Sequence, residues 1–511
     1  MKHLTQLKMA FAALALGVLM SCEQNSATEK ETKTPPNILW IMAEDIGTDL
    51  EIYGMPAVKT PNLNKLAETG SMFTNAYGTN SICSPSRSNM ITGVHQNVAN
   101  TQHHRSNREI ILRDSIKPIT ALLKEAGYTT ILGSPIVRGK GRKIDVNFKH
   151  EAIGSWNGST EFGLFDKYDS ILPSDQPFFA QVTLNVTHRG GWWNQVRNQS
   201  EHKVDPADVV LPPYYADHPA IREDWAKYLD QIEYMDNEVG MLLADLEAKG
   251  LKENTIVIFI GDNGRCNIRG KGYLYEPGIN LPLIVNWPAS MTGGKVDERL
   301  VSSIDIAASI LEVAGVELPS YMTARPFINN DNASREYVYS GRDLWDEILE
   351  QSRAITTKNF KYIRNNMPEV PYDAQQAYLE FYRPAVHIMR DLYAKDELNE
   401  LQSRFFAATK EKEELYDLVN DPYETINLVD DPNYKEQLKV MQGYFEDWNS
   451  KNHDFGFDEI DWENAPPPPG PEVVEWLKKE RPDVIAKMKK GIEPNYGKLK
   501  KEYQIQQNKQ K

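Results

Sequence analysis

The stretch SICSPSRSNMITG, residues 81–93, places a thiol, a proline and a guanidinium close together as Cys83, Pro85 and Arg87. Pro85 favours the first turn of a helix, and Arg87 then lies one turn beyond Cys83 on the same face. Helix N-termini attract anions. The stretch therefore offers a nucleophile position, a dipole and a cation that all favour a tetrahedral oxyanion. A thiol in this setting reads as a reactive nucleophile, as a buried structural residue, or as a residue modified after synthesis.

Two further clusters could do chemistry. Glu44-Asp45 and Asp262-Asn263 supply carboxylate and amide oxygens, the ligands that hard cations such as calcium take. One acidic pair alone reads as a loop or a helix cap; two at comparable places in the fold point to a metal site. No Cys/His spacing suggests a zinc finger. Lys271 sits in the Gly-rich run IRGKGYLYEPGINLP, whose glycines let backbone approach a ligand closely. His188 lies in NVTHRGGWW beside Trp192 and Trp193. A solvated loop lysine and a structural histidine are the plainer readings of these two.

The elements that must position them follow from hydrophobic pattern. NILWIMA (37–43), TTIL (129–132), FFAQVTL (178–184), TIVIFI (255–260) and LIVNW (283–287) read as buried strands. Between them, 223–249 repeats apolar residues at helical spacing through Tyr228, Ile232, Met235, Val239, Leu242 and Leu246, with Gly250 as a stop. DIAASILEVAG forms a second such stripe. Strands alternating with helices predict a mostly parallel sheet covered on both faces, with its site beyond the carboxyl ends of the strands. Glu44-Asp45, His188 and Asp262-Asn263 all follow predicted strands. After about residue 345 the pattern changes to short strands and turns around a polar helical insertion, which predicts a smaller α+β domain. APPPPGP (465–471) reads as a stiff linker, and the residues after it as charged surface helix.

The chain has 511 residues, 41% apolar and 25% charged, with a net charge of −15. This is globular composition with a large core, and its acidity argues against nucleic-acid binding. Lys2 and Lys8 precede the apolar run MAFAALALGVLM, which is short for a bilayer span and suits a signal peptide. It ends in LMSC, which resembles a bacterial lipobox with Cys22 as the lipidated residue. A polar tether follows. Membrane attachment is then by lipid anchor only. With Cys22 so used, one disulfide could form, between Cys83 and Cys266.

CSPSR resembles the Cys-x-Pro-Ser-Arg signature of type I sulfatases, in the alkaline phosphatase-like superfamily. PNILWIMAEDIG resembles that family's opening strand and metal motif, and GDNG with GKGYLYEPGINLPLIV its second metal motif and catalytic lysine. SSIDIAASILEVAGV and ELYDLVNDPYETINL resemble its later hallmarks, in family order. The resemblance implies an α/β fold with a large mostly parallel central sheet and a smaller C-terminal α+β domain. It implies that a maturation enzyme oxidises Cys83 to formylglycine, whose hydrate attacks sulfur and ligates Ca2+. Asp45, Asp262 and Asn263 would be further ligands. Glu44 stands where the family has a shorter Asp. Arg87 would hold the hydrate, and Lys271 and His188 would contact the sulfate and the leaving oxygen, a proton coming from His188 or a lysine. The family's usual Gly-Lys-x-His is missing. GSPIVRGKGRKIDVNF supplies Lys143 as the second sulfate lysine, with Lys140 as competitor, and Asp145 at the histidine position. His103 and His104 are candidates for the substrate pocket, His104 the one assigned to substrate binding.

The resemblance thus implies a sulfatase with domains at 1–22 (lipoprotein signal), 23–35 (tether), 36–345 (catalytic), 346–460 (C-terminal α+β) and 461–511 (linker and tail). Its substrate would be a sulfated poly- or oligosaccharide, algal such as ulvan or a glycosaminoglycan. Its location would be the periplasm or cell surface of a Gram-negative bacterium. A phosphonate or phosphate ester hydrolase on the same scaffold and a catalytically silent glycan-binding lipoprotein are the rival readings.

Overall fold

The computed structural model describes residues 35–105, 110–113, 115–156, 163–168, 170–329, 334–346, 348–460, 472–490 and 495–510. The segments expected from the sequence to be a lipoprotein signal with Cys22, nearly all of the expected tether, and the Pro-rich APPPPGP stretch lie outside the described residues. Among the described residues, no helix is long and apolar enough to cross a membrane.

Among the described residues, fourteen strands are formed. They are β1 (Asn37–Ala43), β2 (Ser71–Tyr77), β3 (Thr129–Leu132), β4 (Glu151–Ile153), β5 (Gly163–Phe165), β6 (Lys167–Tyr168) and β7 (Phe178–Leu184). They continue as β8 (Thr255–Gly261), β9 (Leu283–Asn286), β10 (Lys295–Ser302), β11 (Val338–Arg342), β12 (Ser352–Thr356), β13 (Phe360–Asn365) and β14 (Glu413–Asp417). Eight make the central sheet, in the order β10-β2-β9-β8-β1-β7-β3-β6. Every pairing is parallel except those of β9, which runs antiparallel to both β2 and β8. The five strands expected from the sequence all form. β2, β10 and the two-residue β6 complete the sheet.

β1 shows why the centre of the sheet is buried on both sides. Leu39, Ile41 and Ala43 join one core, and Ile38, Trp40 and Met42 join the other. This is the period-2 alternation of a strand with no solvent face. Helix α1 (Pro61–Glu68) covers the first face, and α2 (Cys83–Thr92) and α3 (Ile119–Glu125) the second. The long α4 (Pro219–Ala248) lays Trp225, Leu229, Ile232, Val239 and Leu246 on the first face. It begins four residues earlier than the apolar stripe indicates, because Pro219 fits its first turn and the His218 side chain accepts from Ala220 N. On the opposite face α5 (Asp305–Val313) packs Ile306, Ile310 and Val313.

The second sheet is antiparallel, β11-β12-β13-β14, with α8 (Lys435–Lys451) packed on it through Met441, Phe445 and Trp448. Its first strand, Val338–Arg342, precedes the change in sequence pattern at about 345. Between β13 and β14 lie α6 (Ala377–Tyr382) and α7 (Pro384–Ala394). The chain closes with α9 (Glu472–Glu480), α10 (Pro482–Met488) and α11 (Tyr496–Gln510). These are not merely surface helix: Val473, Trp476, Leu477, Val484, Met488, Leu499 and Tyr503 form an apolar cluster together with Phe381 of α6.

Candidate active site

The register of the central strands brings the acidic clusters together. Ala43 of β1 pairs with Gly261 of β8 and with Leu184 of β7. Residues that leave these strands at their carboxyl ends are therefore neighbours. Glu44 N donates to Leu184 O (3.0 Å), Asp262 N to Ala43 O (2.9 Å) and Asp45 N to Asp262 Oδ1 (3.0 Å). Asp45 adopts a left-handed backbone, φ 49°, that turns its side chain back over the rim.

Helix α2 runs into this rim N-terminus first. All ten of its residues are buried, although six, Ser84, Ser86, Arg87, Ser88, Asn89 and Thr92, are polar, because each of these side chains finds a partner. Ser86 Oγ donates to the Asp262 carbonyl, Thr92 Oγ1 to Ser88 O (2.8 Å) and Asn89 Nδ2 to Thr79 Oγ1 (2.7 Å). Cys83, at the first helical position, is 0% exposed. Its Sγ lies 2.9 Å from Lys271 Nζ and 3.9 Å from Asp45 Oδ1. Burial pushes the thiol pKa up to about 11, against the pull of Lys271 and Lys143, so this cysteine is not a thiolate nucleophile at neutral pH. Cys83 and Cys266 are both free and buried, and the disulfide that the sequence allowed is not formed.

The cations interleave with the carboxylates. One turn on from Cys83, Arg87 donates from Nε to Asp262 Oδ2 (2.9 Å), from one terminal nitrogen to Glu44 Oε1 (3.2 Å) and from the other to Thr183 Oγ1 (3.2 Å). Lys143 pairs with Glu44 and stands 3.4 Å from Asp145 Oδ2. Lys271 Nζ is 2.6 Å from Asp45 Oδ1. Burial alone would raise Glu44, but Lys143, His188 and Arg87 outweigh it and hold it below the usual carboxylate range. Lys271 also overcomes burial, through Asp45 and Cys83, and stays protonated well above its ordinary pKa. Glu44, Asp45 and Asp262 thus face Arg87, Lys143 and Lys271, and these opposed charges balance.

This donor set fits a hard divalent cation. Asn263 Nδ2 donates to Asp45 Oδ1 (3.0 Å), while Asn263 Oδ1 is buried with no hydrogen-bond partner. A buried acceptor left over beside three carboxylates is what a cation would satisfy. Asp45, Cys83 and His188 also present ligand atoms within 4.8 Å of one another. Because that set shares Asp45 with the oxygen cluster, both describe one place.

His188 follows β7 and is held by the first turn after the strand. Its Nδ1 donates to Arg189 O (3.1 Å), which leaves Nε2 bare toward Asp45 Oδ2 at 3.9 Å. Burial lowers its pKa to about 4, so it is neutral at physiological pH. Trp193 is fully buried and donates from Nε1 to His188 O (3.1 Å), while Trp192 donates to Val186 O (2.9 Å). These tryptophans shape the loop rather than line a sugar platform. The two histidines of NTQHHRS diverge. His104 Nδ1 meets Ser84 Oγ at 2.9 Å, and its Nε2 is 3.6 Å from Asp346 Oδ1. His103 instead pairs with Gln102 (3.3 Å) and feels Asp343, Arg353 and Asp454, away from Cys83. Of the rival lysines, Lys143 enters the cluster and Lys140 is exposed in a left-handed turn, φ 60°.

Several residues at the site have no signal in the sequence motifs. Arg105 donates from Nε at 3.0 Å to Asp145, the acid already expected at the motif's histidine position. Gln376 Nε2 donates to Asp346 Oδ2 (2.8 Å). Tyr378, 333 positions from Asp45 along the chain, donates from its hydroxyl to Asp45 Oδ2 at 3.1 Å. The aromatic pair Tyr378/Tyr382 at helical spacing is visible in AYLEFY, but nothing local ties it to the rim.

The family model described as "Sulfatase" matches residues 36–316. The chain belongs to the sulfatase family. A second model, described as "N-sulphoglucosamine sulphohydrolase, C-terminal", matches residues 264–373 of this sulfatase. Over 470 residues it is 30% identical to an ulvan-active sulfatase of Formosa agariphila, covering 83% of this chain and 76% of the relative. It is 28% identical over 472 residues to the N-sulphoglucosamine sulphohydrolase of Homo sapiens, covering 82% and 91%. Among solved structures it resembles BT4656 in complex with its substrate D-glucosamine-2-N,6-O-disulfate. That likeness has a TM-score of 0.57 at 18% identity, with coverage of 83% and 100%. The fold is the α/β, alkaline phosphatase-like architecture that the sequence implied, and the enzyme is a sulfuric ester hydrolase.

Proposed function

We propose that this sulfatase hydrolyses sulfate groups on a sulfated poly- or oligosaccharide, with Cys83 as the precursor of formylglycine and calcium as the metal. The observation that carries this reading is the meeting of Cys83 with Lys271, Asp45 and Arg87 inside the balanced charge cluster. Because the carboxylates and cations there cancel, an anionic ester gains little net attraction from the protein alone. A divalent ion held by Glu44, Asp45, Asp262 and Asn263 would supply the missing positive charge and polarise the sulfuryl oxygens. Cys83, once oxidised, would supply an oxygen nucleophile where the inert thiol now sits.

The chain's own groups have separable tasks. Arg87, ion-paired on two sides, is fixed to orient the group at position 83. Lys271 and Lys143 are protonated and face the sulfuryl oxygens, where preorganised charge lowers the barrier. His188 holds its Nδ1 proton on Arg189 O and turns Nε2 to the rim, so it and the two lysines are the groups within reach to hand a proton to the leaving oxygen. His104, seated on Ser84, borders the sugar side together with Asp346.

The relatives that act on ulvan and on N-sulphoglucosamine support a glycan substrate. The lipobox-like LMSC supports export and anchoring through Cys22. Protein matured in a host able to oxidise this motif, assayed on defined sulfated ulvan and glycosaminoglycan oligosaccharides, should release sulfate from one set. The aldehyde should appear at Cys83 by mass spectrometry, and Cys83→Ala should abolish turnover. A variant releasing sulfate at the parent rate overturns the reading. Faster cleavage of an aryl phosphate or phosphonate than of the aryl sulfate would favour the phosphate or phosphonate ester hydrolase.

A further inference from the structure

The sulfatase motifs end well before the three helices that close the chain, yet these helices connect to the catalytic rim through one continuous line of side chains. Phe381 of α6 lies edge-on to Trp476 (6.3 Å) and Tyr503 (6.2 Å), from α9 and α11. Tyr382 packs against the same apolar cluster and stacks on Tyr378, with centroids 5.0 Å apart and planes 24° apart. Tyr378 in turn touches three groups of the site. Its hydroxyl donates to Asp45 Oδ2 (3.1 Å), its ring meets His188 edge to face (6.4 Å), and Lys271 Nζ lies 5.1 Å from its centroid. The next residue after α6, Arg383, donates to the Lys271 carbonyl at 2.8 Å.

A six-residue helix has little stability of its own, so α6 must be held by what it packs on. On the site side Leu379 and Tyr378 pack with Ile82 and Trp345, and Glu380 is bound by His387 and Arg390 of α7. On the other side Phe381 and Tyr382 supply apolar contact, and the surface they meet is built by α9, α10 and α11. Without that surface the rings of Phe381 and Tyr382 would face water, and Tyr378 would keep only the support of Trp345, Ile82 and Leu379 on one side.

Building on the sulfatase reading above, we propose that Tyr378 is a positioning residue of this active site and that the C-terminal helices are the element that holds it there. The hydroxyl ties down one oxygen of Asp45 and so leaves the other for Lys271, Asn263 and a metal. The ring fixes the plane of the His188 imidazole and the reach of Lys271. Such supporting contacts are worth roughly 10- to 100-fold in metal affinity or activity.

Two substitutions test the two halves. Leu477→Ala, in the tail cluster and remote from Asp45, should speed amide hydrogen exchange across 376–383 while β1 keeps its protection. Unchanged exchange at 376–383 overturns the holding role of the tail. Tyr378→Phe keeps the ring and removes the hydroxyl. It should lower kcat on an aryl sulfate by about 10-fold or more with KM within about 2-fold, and weaken calcium-dependent thermal stabilisation, at an unchanged melting temperature without calcium. Parent kcat and parent calcium response, or a kcat that falls only in step with the folded fraction, overturn the positioning role. If the parent protein itself released no sulfate from any ester, the sulfatase reading would fail. The exchange measurement and the calcium response of Tyr378→Phe would still decide this proposal.

Discussion

At the scale of single residues, the site is an alternation of buried opposite charges, and position decides which of two similar residues takes part. Lys143 and Lys140 are three residues apart, yet the first pairs with Glu44 and the second is exposed. Lys143→Ala should therefore lower kcat on an aryl sulfate by about 10²–10³, the usual loss for one preorganised contact to a reacting oxygen. Lys140→Ala should stay within about 2-fold of the parent; steady-state kinetics on the two variants distinguishes them. The clustering of Glu44, Asp45, Asp262 and Asn263 with Arg87 and Lys271 was legible in the sequence because each lies in a compact motif at a strand end, near a helix start or in a Gly-rich loop. Tyr378 and Arg105, the partner of Asp145, were not. Their partners lie far away along the chain, and only the assembled sheet brings them within reach. His188 was legible as a position but not as a charge state, since its neutrality comes from burial.

At the scale of elements, near-continuous apolar runs were enough to find the five buried strands, because β1, β7 and β8 have no solvent-exposed face to blur the signal. It was not enough for β2 and β10. SMFTNAY mixes half-exposed Thr74 and Asn75 into its middle, and KVDERLVS is exposed over much of its first half. The antiparallel turn of β9 was likewise unreadable, because orientation is set by pairing rather than by composition. The loop after β8 shows how tightly an element can be specified. Gly272 has φ +89°, and a Cβ there would come 1.9 Å from Trp345 Cζ3; its N–H also donates to Ser81 O at 2.9 Å. Gly272→Ala should cost about 2–4 kcal/mol from backbone strain and overpacking together. A melting temperature several degrees lower, with Lys271-dependent turnover falling in the protein that remains folded, is the expected result.

At the scale of the whole molecule, the antiparallel sheet docks beside α2 through His95. Its Nε2 donates to Tyr339 O of β11 at 3.1 Å, its Nδ1 accepts from Asn97 N, and its ring lies edge-on to Trp448 of α8 at 5.0 Å. Burial lowers its pKa to about 4, although Asp454 favours the proton. The unfolded chain would bind that proton near the ordinary value of about 6.5, so between these values the unfolded state carries more protons and stability rises with pH. The contribution is complete above about pH 6.5 and is lost as pH falls toward 4, a change of about 3 kcal/mol. Calorimetry at pH 7 and 4.5 should show the parent melting temperature falling on acidification, and His95→Gln losing less over the same interval. The fold also encloses Cys83 completely. Cys83 has no surface of its own, lies beneath Lys271 and Asp45, and belongs to a helix with every residue enclosed. On the proposed reading an oxidising enzyme would have to reach this sulfur before α2 is enclosed, so it has a deadline: it must act while the chain is still emerging or crossing a membrane. A copy that folds first would be sealed with its sulfur intact, and later exposure to the maturation enzyme would not rescue it.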